Sequence, residues 1–325
     1  MKNAVSWILA GLGMAIIAIP SSRAEDWPQR PTIRLIVPFP AGGGTDVVGR
    51  LIAKGLTERL GKSFIIENRG GANGQIGLQA VKQAAADGYT FAVTSDTPMT
   101  VNPWLYKSMA YEPLKDFVPV AGLVRLPSML AVHPSLPVHS VAELIALAKS
   151  KPGSLSYASA GVGNFSHLDM EMFELATGMK LTHVPYKGTG PSAMAMIAGE
   201  AQLGFNNVST LLPHVKAGQL VALAIAEPKR MPELPDVPTI AETVPGFALA
   251  PWVGIVAKAG TPQPIIDRLS NEALSLMNDP AFAKQFTDQQ LSVMALPPSE
   301  FGALIRSDYD RWGKVIQTAG IKIEE

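Results

Sequence analysis

The run Gly42-Gly43-Gly44-Thr45-Asp46 is the strongest chemical signal in the chain. It follows an apolar segment, Thr32 to Val37, and precedes Val47, Val48, Leu51, Ile52, Leu56 and Leu60 at helical spacing. A strand that turns through glycines into a helix leaves the first helical amides without intrahelical acceptors and lets a ligand approach the backbone closely. Such an end attracts anions through its free N–H groups and its dipole. Thr45 and Asp46 have two readings there, as helix caps or as direct ligand contacts. Nucleotide sites are excluded by spacing. Gly49-Arg50-Leu51 stands where a P-loop needs Gly-Lys-Ser/Thr, and Val47 stands where a dinucleotide fingerprint needs glycine. A second turn, Ser159-Ala160-Gly161-Val162-Gly163-Asn164-Phe165-Ser166-His167, has the same strand-to-helix setting. Its amides are expected to face the first turn across a cleft.

Catalytic constellations are thin. Tyr157 removes a Gly-x-Ser-x-Gly elbow around Ser159. The five histidines, His133, His139, His167, His183 and His214, show no metal-ligand spacing. Tyr111 and Lys115 match a dehydrogenase-like Tyr-x-x-x-Lys pair, but Pro113 between them breaks the helix such a pair needs. His167, near a helix start, reads as a hydrogen-bonded structural residue. Glu171 and Glu174 at i,i+3 read as a solvated helix face, and Trp252, near a lobe crossing, as packing or a ligand contact. No catalytic residue, metal or cofactor is expected.

Bulk composition agrees with a local rather than a global attraction for anions. The 325 residues carry 27 basic and 27 acidic side chains and no cysteine. Zero net charge argues against nucleic-acid binding, and the absence of cysteine excludes disulfides, thiol nucleophiles and a lipid-modified N-terminal cysteine. The stretch from Ala4 to Ile19 follows Lys2 and ends at Pro20-Ser21-Ser22-Arg23-Ala24, the order of a cleavable secretory signal. A leader over residues 1–24, cut before Glu25, leaves 25 basic and 27 acidic residues, a net of −2.

The elements that must hold the two turns alternate. Segments 32–37, 64–67 and 90–94 read as strands separated by helices, which predicts a parallel sheet. The pattern restarts with strands over 128–133, 155–158, 182–184, 202–205 and 220–226. A proline-rich passage from Pro228 to Pro245 leads to a strand over 252–257, and the tail from Pro262 to Ile321 reads as mostly helical. The expected fold is α/β with two lobes and a ligand cleft at the carboxyl ends of their strands. Its division is residues 25–128 and 250–325 for one lobe and 129–249 for the other.

Many segments in order resemble the Bug-type solute receptors of tripartite tricarboxylate transporters. They include Trp27-Pro28-Gln29-Arg30-Pro31, Val37-Pro38-Phe39 with the glycine turn, Glu67-Asn68-Arg69 and Asp87-Gly88-Tyr89-Thr90. Further ones are His133-Pro134-Ser135-Leu136-Pro137, Val184-Pro185-Tyr186-Lys187-Gly188 and Pro235-Asp236-Val237-Pro238-Thr239. The resemblance implies a periplasmic receptor of the two-lobe type II binding-protein architecture that closes on a small carboxylate. It implies contacts from loops 39–46 and 159–167, giving an expected set of Phe39, Ala41, Gly42, Gly44, Thr45, Asp46, Ser95, Ser159, Gly161, Gly163, Asn164, His167 and Asn206. Asn206 stands where many members carry aspartate, so a dicarboxylate or aromatic acid without a cationic amine is expected. The expected partners are membrane transporter subunits, with no nucleic acid and a monomeric receptor. The alternatives are a sensory receptor that presents its ligand to a membrane kinase, and an exported hydrolase on the same scaffold.

Overall fold

The computed structural model describes residues 27–249 and 251–320. The expected leader over residues 1–24 lies outside them. In chain order the strands are β1 (Thr32–Val37), β2 (Ser63–Asn68), β3 (Thr90–Ser95), β4 (Phe117–Arg125), β5 (Ser128–Val132), β6 (Ser156–Ser159), β7 (Thr182–Pro185), β8 (Leu203–Asn207), β9 (Val221–Ile225), β10 (Trp252–Lys258) and β11 (Ser292–Leu296). One sheet has the order β11-β4-β10-β3-β1-β2 and the other β7-β6-β8-β5-β9.

The first sheet is parallel over β1, β2 and β3 and antiparallel beyond them. β1 pairs in parallel with β2 and β3, as right-handed βαβ connections require. β10, however, runs antiparallel between β3 and β4, and β11 pairs antiparallel with β4. The first sheet is therefore mixed. β4 and β11 do not stand out in the sequence for separate reasons. β4 contains Pro119 and Gly122, which read as breakers, and Pro119 sits beside a register irregularity opposite Val256. β11 is a five-residue strand inside the otherwise helical tail. In the second sheet β6 is parallel to β7 and β8, while β5 runs antiparallel to β8 and β9.

Two segments carry the chain between the sheets: Leu126-Pro127, between β4 and β5, and residues 226–251, between β9 and β10. A third link is packing. The helix Pro298–Ala319 buries Phe301 and Ile305 against Trp252 and Ile36 of the first lobe. Its later turns bury Trp312, Val315 and Ile316 among Leu130, Tyr157, Phe173 and Phe205 of the second. Val101 and Leu105 join that second cluster although they follow β3. Packing thus crosses the line drawn from residues 129 and 249.

Phe301 anchors this brace in a slot made by glycine. Gly122 and Gly254 are register partners on β4 and β10, and Phe301 lies over both. Its ring meets Trp252 edge-on at 4.9 Å. A Cβ at Gly254 would stand 2.3 Å from Phe301 Cζ and 2.7 Å from Ala121 O. Gly254→Ala is therefore expected to lower stability by about 1–3 kcal/mol through overpacking. Urea unfolding measures it, and a change within about 0.5 kcal/mol, the range of an ordinary surface substitution, contradicts this role.

Candidate functional site

The first glycine turn is folded by a carboxylate that faces away from the cleft. Asp46 Oδ2 accepts from Gly42 N at 2.8 Å and from Arg50 Nε at 2.9 Å. Its Oδ1 accepts from Asn68 Nδ2 at 2.8 Å, and Asn68 Nδ2 also reaches Phe39 O at 3.1 Å. Burial works to raise the Asp46 pKa, but the donors from Arg50, Gly42 and Asn68 outweigh it and hold the carboxyl below its ordinary range. Gly42 takes a left-handed conformation at φ 84°, which closes the turn. Gly43 then caps the helix Gly44–Leu60 without a side-chain bond, and Val47 N makes the first intrahelical contact, to Gly43 O at 3.0 Å. The amides of Gly44, Thr45 and Asp46 precede that bond and belong to the unpaired first turn. Asp46 is thus neither a cap nor a cleft-facing residue.

The second turn behaves differently from the first. Ala160 N donates to Ser166 Oγ (2.8 Å), Gly161 N to Ser159 Oγ (3.2 Å) and Gly163 N to His167 Nδ1 (3.1 Å). Asn164 N donates to Gly161 O, and Asn164 Oδ1 accepts from Ser166 N. The expectation that this turn presents its amides across the cleft is corrected: its own side chains absorb most of them.

Behind that turn lies a stack of Tyr157, His183 and His167, with the two imidazole centroids 4.1 Å apart. Ser159 Oγ is 2.6 Å from His183 Nε2, the distance of a nucleophile–base pair, yet Ser159 is fully buried. Burial and neighbouring His167 push His183 down to about 4, so it is neutral at pH 7. Glu171 accepts from Tyr157 OH at 3.0 Å and pairs with His167, whose hydrogen bond lowers its pKa. Glu174 accepts from Leu181 N at 2.6 Å. The solvated face expected for these two glutamates is instead a set of packed contacts that fixes the turn from behind.

Between the lobes lies a cavity of about 450 Å³. Of the expected set, Phe39, Ala41, Gly44, Thr45, Ser95 and Asn164 line it. Gly42 lines an adjoining cavity of about 290 Å³, which shares Gly43, Gly44, Leu126, Thr189 and Asn207 with the first. Asp46, Ser159, Gly161, Gly163, His167 and Asn206 lie outside both linings. Asn206 is buried, with Nδ2 donating to Thr189 O (2.9 Å) and Ser192 Oγ (3.1 Å) and Oδ1 accepting from Asn207 N (2.8 Å). It positions Thr189 and Asn207, which do line the cavity; an aspartate there would set a carboxylate oxygen against Thr189 O.

Several lining residues were absent from the expected set. Gly188 and Thr189 form a third strand-to-helix turn, with Gly188 at φ 113° opening the helix Thr189–Ile197. The signal for it was present in Lys187-Gly188-Thr189-Gly190. Leu126 and Pro251 come from the two crossings, and Phe165 and Ala160 from the second turn. Asp96 and Thr97, which follow β3, complete the wall. Among the described residues lining this cavity, Asp96 is the one with an ionisable side chain. Burial, then the nearby Asp308 charge, pushes it up to about 7.

Two α/β lobes joined by crossing segments, with a cleft lined by strand-to-helix turns of both, are the architecture of a periplasmic-type solute-binding protein. Sequence comparison makes the assignment definite. The chain belongs to the tripartite tricarboxylate transporter receptor family, whose model matches residues 48–321. Protein BugT of Bordetella pertussis is 36% identical over 323 residues, 98% of each chain. The structure of R. palustris Rpa4515 with adipate has a TM-score of 0.80 at 37% identity, covering 92% of this chain and 100% of that one. MatC (Rpa3494) from Rhodopseudomonas palustris with bound malate has a TM-score of 0.75 at 32% identity, covering 89% and 100%.

The Asp46 clamp yields a test in the protein alone. Asp46→Ala strands Gly42 N, leaves Asn68 Nδ2 with Phe39 O alone, and is expected to cost on the order of 2 kcal/mol at neutral pH. Because the native pKa is depressed, that stabilisation is complete above the unfolded value of about 4 and is lost as pH falls through the native one. Chemical unfolding of both proteins from pH 7 down to pH 3 should show the gap shrinking on acidification. A pH-independent gap would remove the clamp.

Proposed function

We propose that this chain is a periplasmic receptor that captures a small carboxylate in the interlobe cleft and delivers it to a membrane transporter. The observation that carries the reading is the unpaired first turn of the helix Gly44–Leu60, set at a cavity that no cationic side chain lines among the described residues. An anion there is held by the amides of Gly44 and Thr45 and by the helix dipole. Charge-assisted hydrogen bonds of about 1.5–3 kcal/mol each, offset by the cost of association, are enough for micromolar binding near −8 kcal/mol. Around the same cavity, Phe39, Leu126 and Phe165 offer apolar walls for a hydrocarbon chain or ring, and Asn164, Thr189 and Asn207 offer polar groups from the second lobe. Adipate in Rpa4515 and malate in MatC support a diacid as the ligand class, with an aromatic acid as the other member. The receptor acts as a monomer whose lobes, residues 25–128 with 250–325 and residues 129–249, close on the acid.

A thermal-shift panel of malonate, succinate, malate, adipate and benzoate tests the reading. A ligand at a hundred times its Kd stabilises by about 2.7 kcal/mol. Gly44→Val should abolish the shift given by the strongest acid, since the new side chain crowds the amides. Its Cβ meets only the mobile end of Leu126, 2.8 Å away, so the fold is retained. An undiminished shift in the variant refutes the site, and a response to glutamate or aspartate alone refutes the ligand class.

A further inference from the structure

We propose that this receptor takes up a proton as it binds its anion, and that Asp96 is the cleft group that receives it. The proposal rests on the carboxylate reading above and adds what the site demands of its ligand. Among the described residues, Asp96 is the one ionisable side chain lining the cleft cavity, and it is 5% exposed. Its Oδ1 accepts from Thr97 N at 2.7 Å.

What surrounds Asp96 is short of positive charge. Asp169, from the helix Phe165–Thr177, is fully buried, and the one donor beside its carboxylate is the Ser128 hydroxyl, outside ordinary hydrogen-bond geometry. Asp308, from the bracing helix, is buried and accepts from Trp252 Nε1 at 2.9 Å. Arg311 Nη2 pairs with the other oxygen of Asp308 at 2.9 Å, and its Nη1 is spent on Ala248 O. At the lobe crossings Arg125 ends β4, and the buried Glu227, with Oε1 unpartnered, follows β9. The remaining titratable groups on the Asp169 helix, His167, Glu171 and Glu174, face Tyr157, His183 and Leu181 instead. Four carboxyl groups thus share two guanidinium groups at the junction of the lobes.

A carboxylate without donors in so dry a place is held protonated. Asp169 comes near that condition: burial, opposed by the Ser128 hydroxyl and reinforced by the Asp96 charge, pushes it up to about 8. Asp96 differs in two ways: Thr97 N and Thr97 Oγ1 donate to its Oδ1, which lets it ionise in the ligand-free cleft, and it touches the cleft. An anion seated at the Gly44 and Thr45 amides adds one more negative charge beside it. The proton comes from solvent and settles on an Asp96 oxygen, and no bond to the ligand forms or breaks. Neutral Asp96 then offers an O–H to the ligand carboxylate, whereas the ionised form repels it. A ligand bearing an ammonium group would ask for the ionised form and show the opposite pH dependence. Asp96 therefore selects acids without an amine, the role that sequence reasoning gave to Asn206.

Calorimetry decides the matter with the strongest acid of the panel. In the wild-type protein at pH 7.5, the apparent binding enthalpy should differ between phosphate and Tris by the heat of a proton drawn from the buffer. Affinity should weaken toward about tenfold per pH unit on the alkaline side, the slope of one linked proton. Asp96→Asn should lose both the buffer difference and the pH slope. In ligand-free unfolding, Asp169→Asn should gain stability over wild type as pH rises from 5 to 8. A native carboxyl with a raised pKa holds a proton that the unfolded chain has released, so wild-type stability falls across that window. Equal wild-type enthalpies in the two buffers overturn the proposal, and this comparison needs no variant. A pH slope unchanged in Asp96→Asn overturns the role of Asp96. Failure of every acid to bind refutes the carboxylate reading, and the coupling with it. Binding without proton uptake refutes the coupling alone.

Discussion

The cleft depends on one inward-facing carboxylate. Asp46 turns back on its own loop, takes Gly42 N and draws in Asn68, which in turn ties down Phe39 O. The loop is thereby inverted: its acidic side chain points into the lobe and the helix amides that follow point out. An ionised residue beside an anion site is tolerated here because its charge is matched by Arg50 and by the N–H groups of Gly42 and Asn68 and is turned away from the cavity. The balanced charge of the chain fits the same logic. With no bulk positive field, attraction for an anion is confined to the few amides the clamp exposes.

The second lobe contributes by holding things still. Ser159, Ser166 and His167 spend the amides of their own turn, and the Tyr157–His183–His167 stack with Glu171 packs behind it. Asn206 does the same for the neighbouring turn, fixing Thr189 and Asn207 at the cavity wall. The two lobes are then related by Leu126-Pro127, by residues 226–251 and by the helix Pro298–Ala319, whose Phe301 and Trp312 sit in different cores. Any closure of the cleft works against this helix and the buried acids beside it.

Local alternation and glycine placement made much of this legible from sequence. The turn at Gly42–Gly44 was visible because three glycines interrupt a buried strand and an amphipathic helix. By composition the turn at Ser159–His167 looked equivalent. What separates them is which side chains reach back to which amides, and residue spacing does not encode that. β4 was hidden by Pro119 and Gly122, whose positions make sense only beside the bulged β10 and under Phe301. Asp96 was hidden for a different reason. The charges that act on it or that it acts on, Asp169, Asp308 and Arg311, lie far apart in the chain and meet only at the lobe junction.

Amide resonances report on the central claim most directly. In a 15N–1H correlation spectrum titrated with the strongest-binding acid, the account predicts the largest downfield proton shifts at Gly44 and Thr45, as their N–H groups gain an anionic acceptor. Gly42, already bound to Asp46, should move little. Saturable binding that leaves Gly44 and Thr45 unmoved would show that the acid is held elsewhere, and would contradict the account.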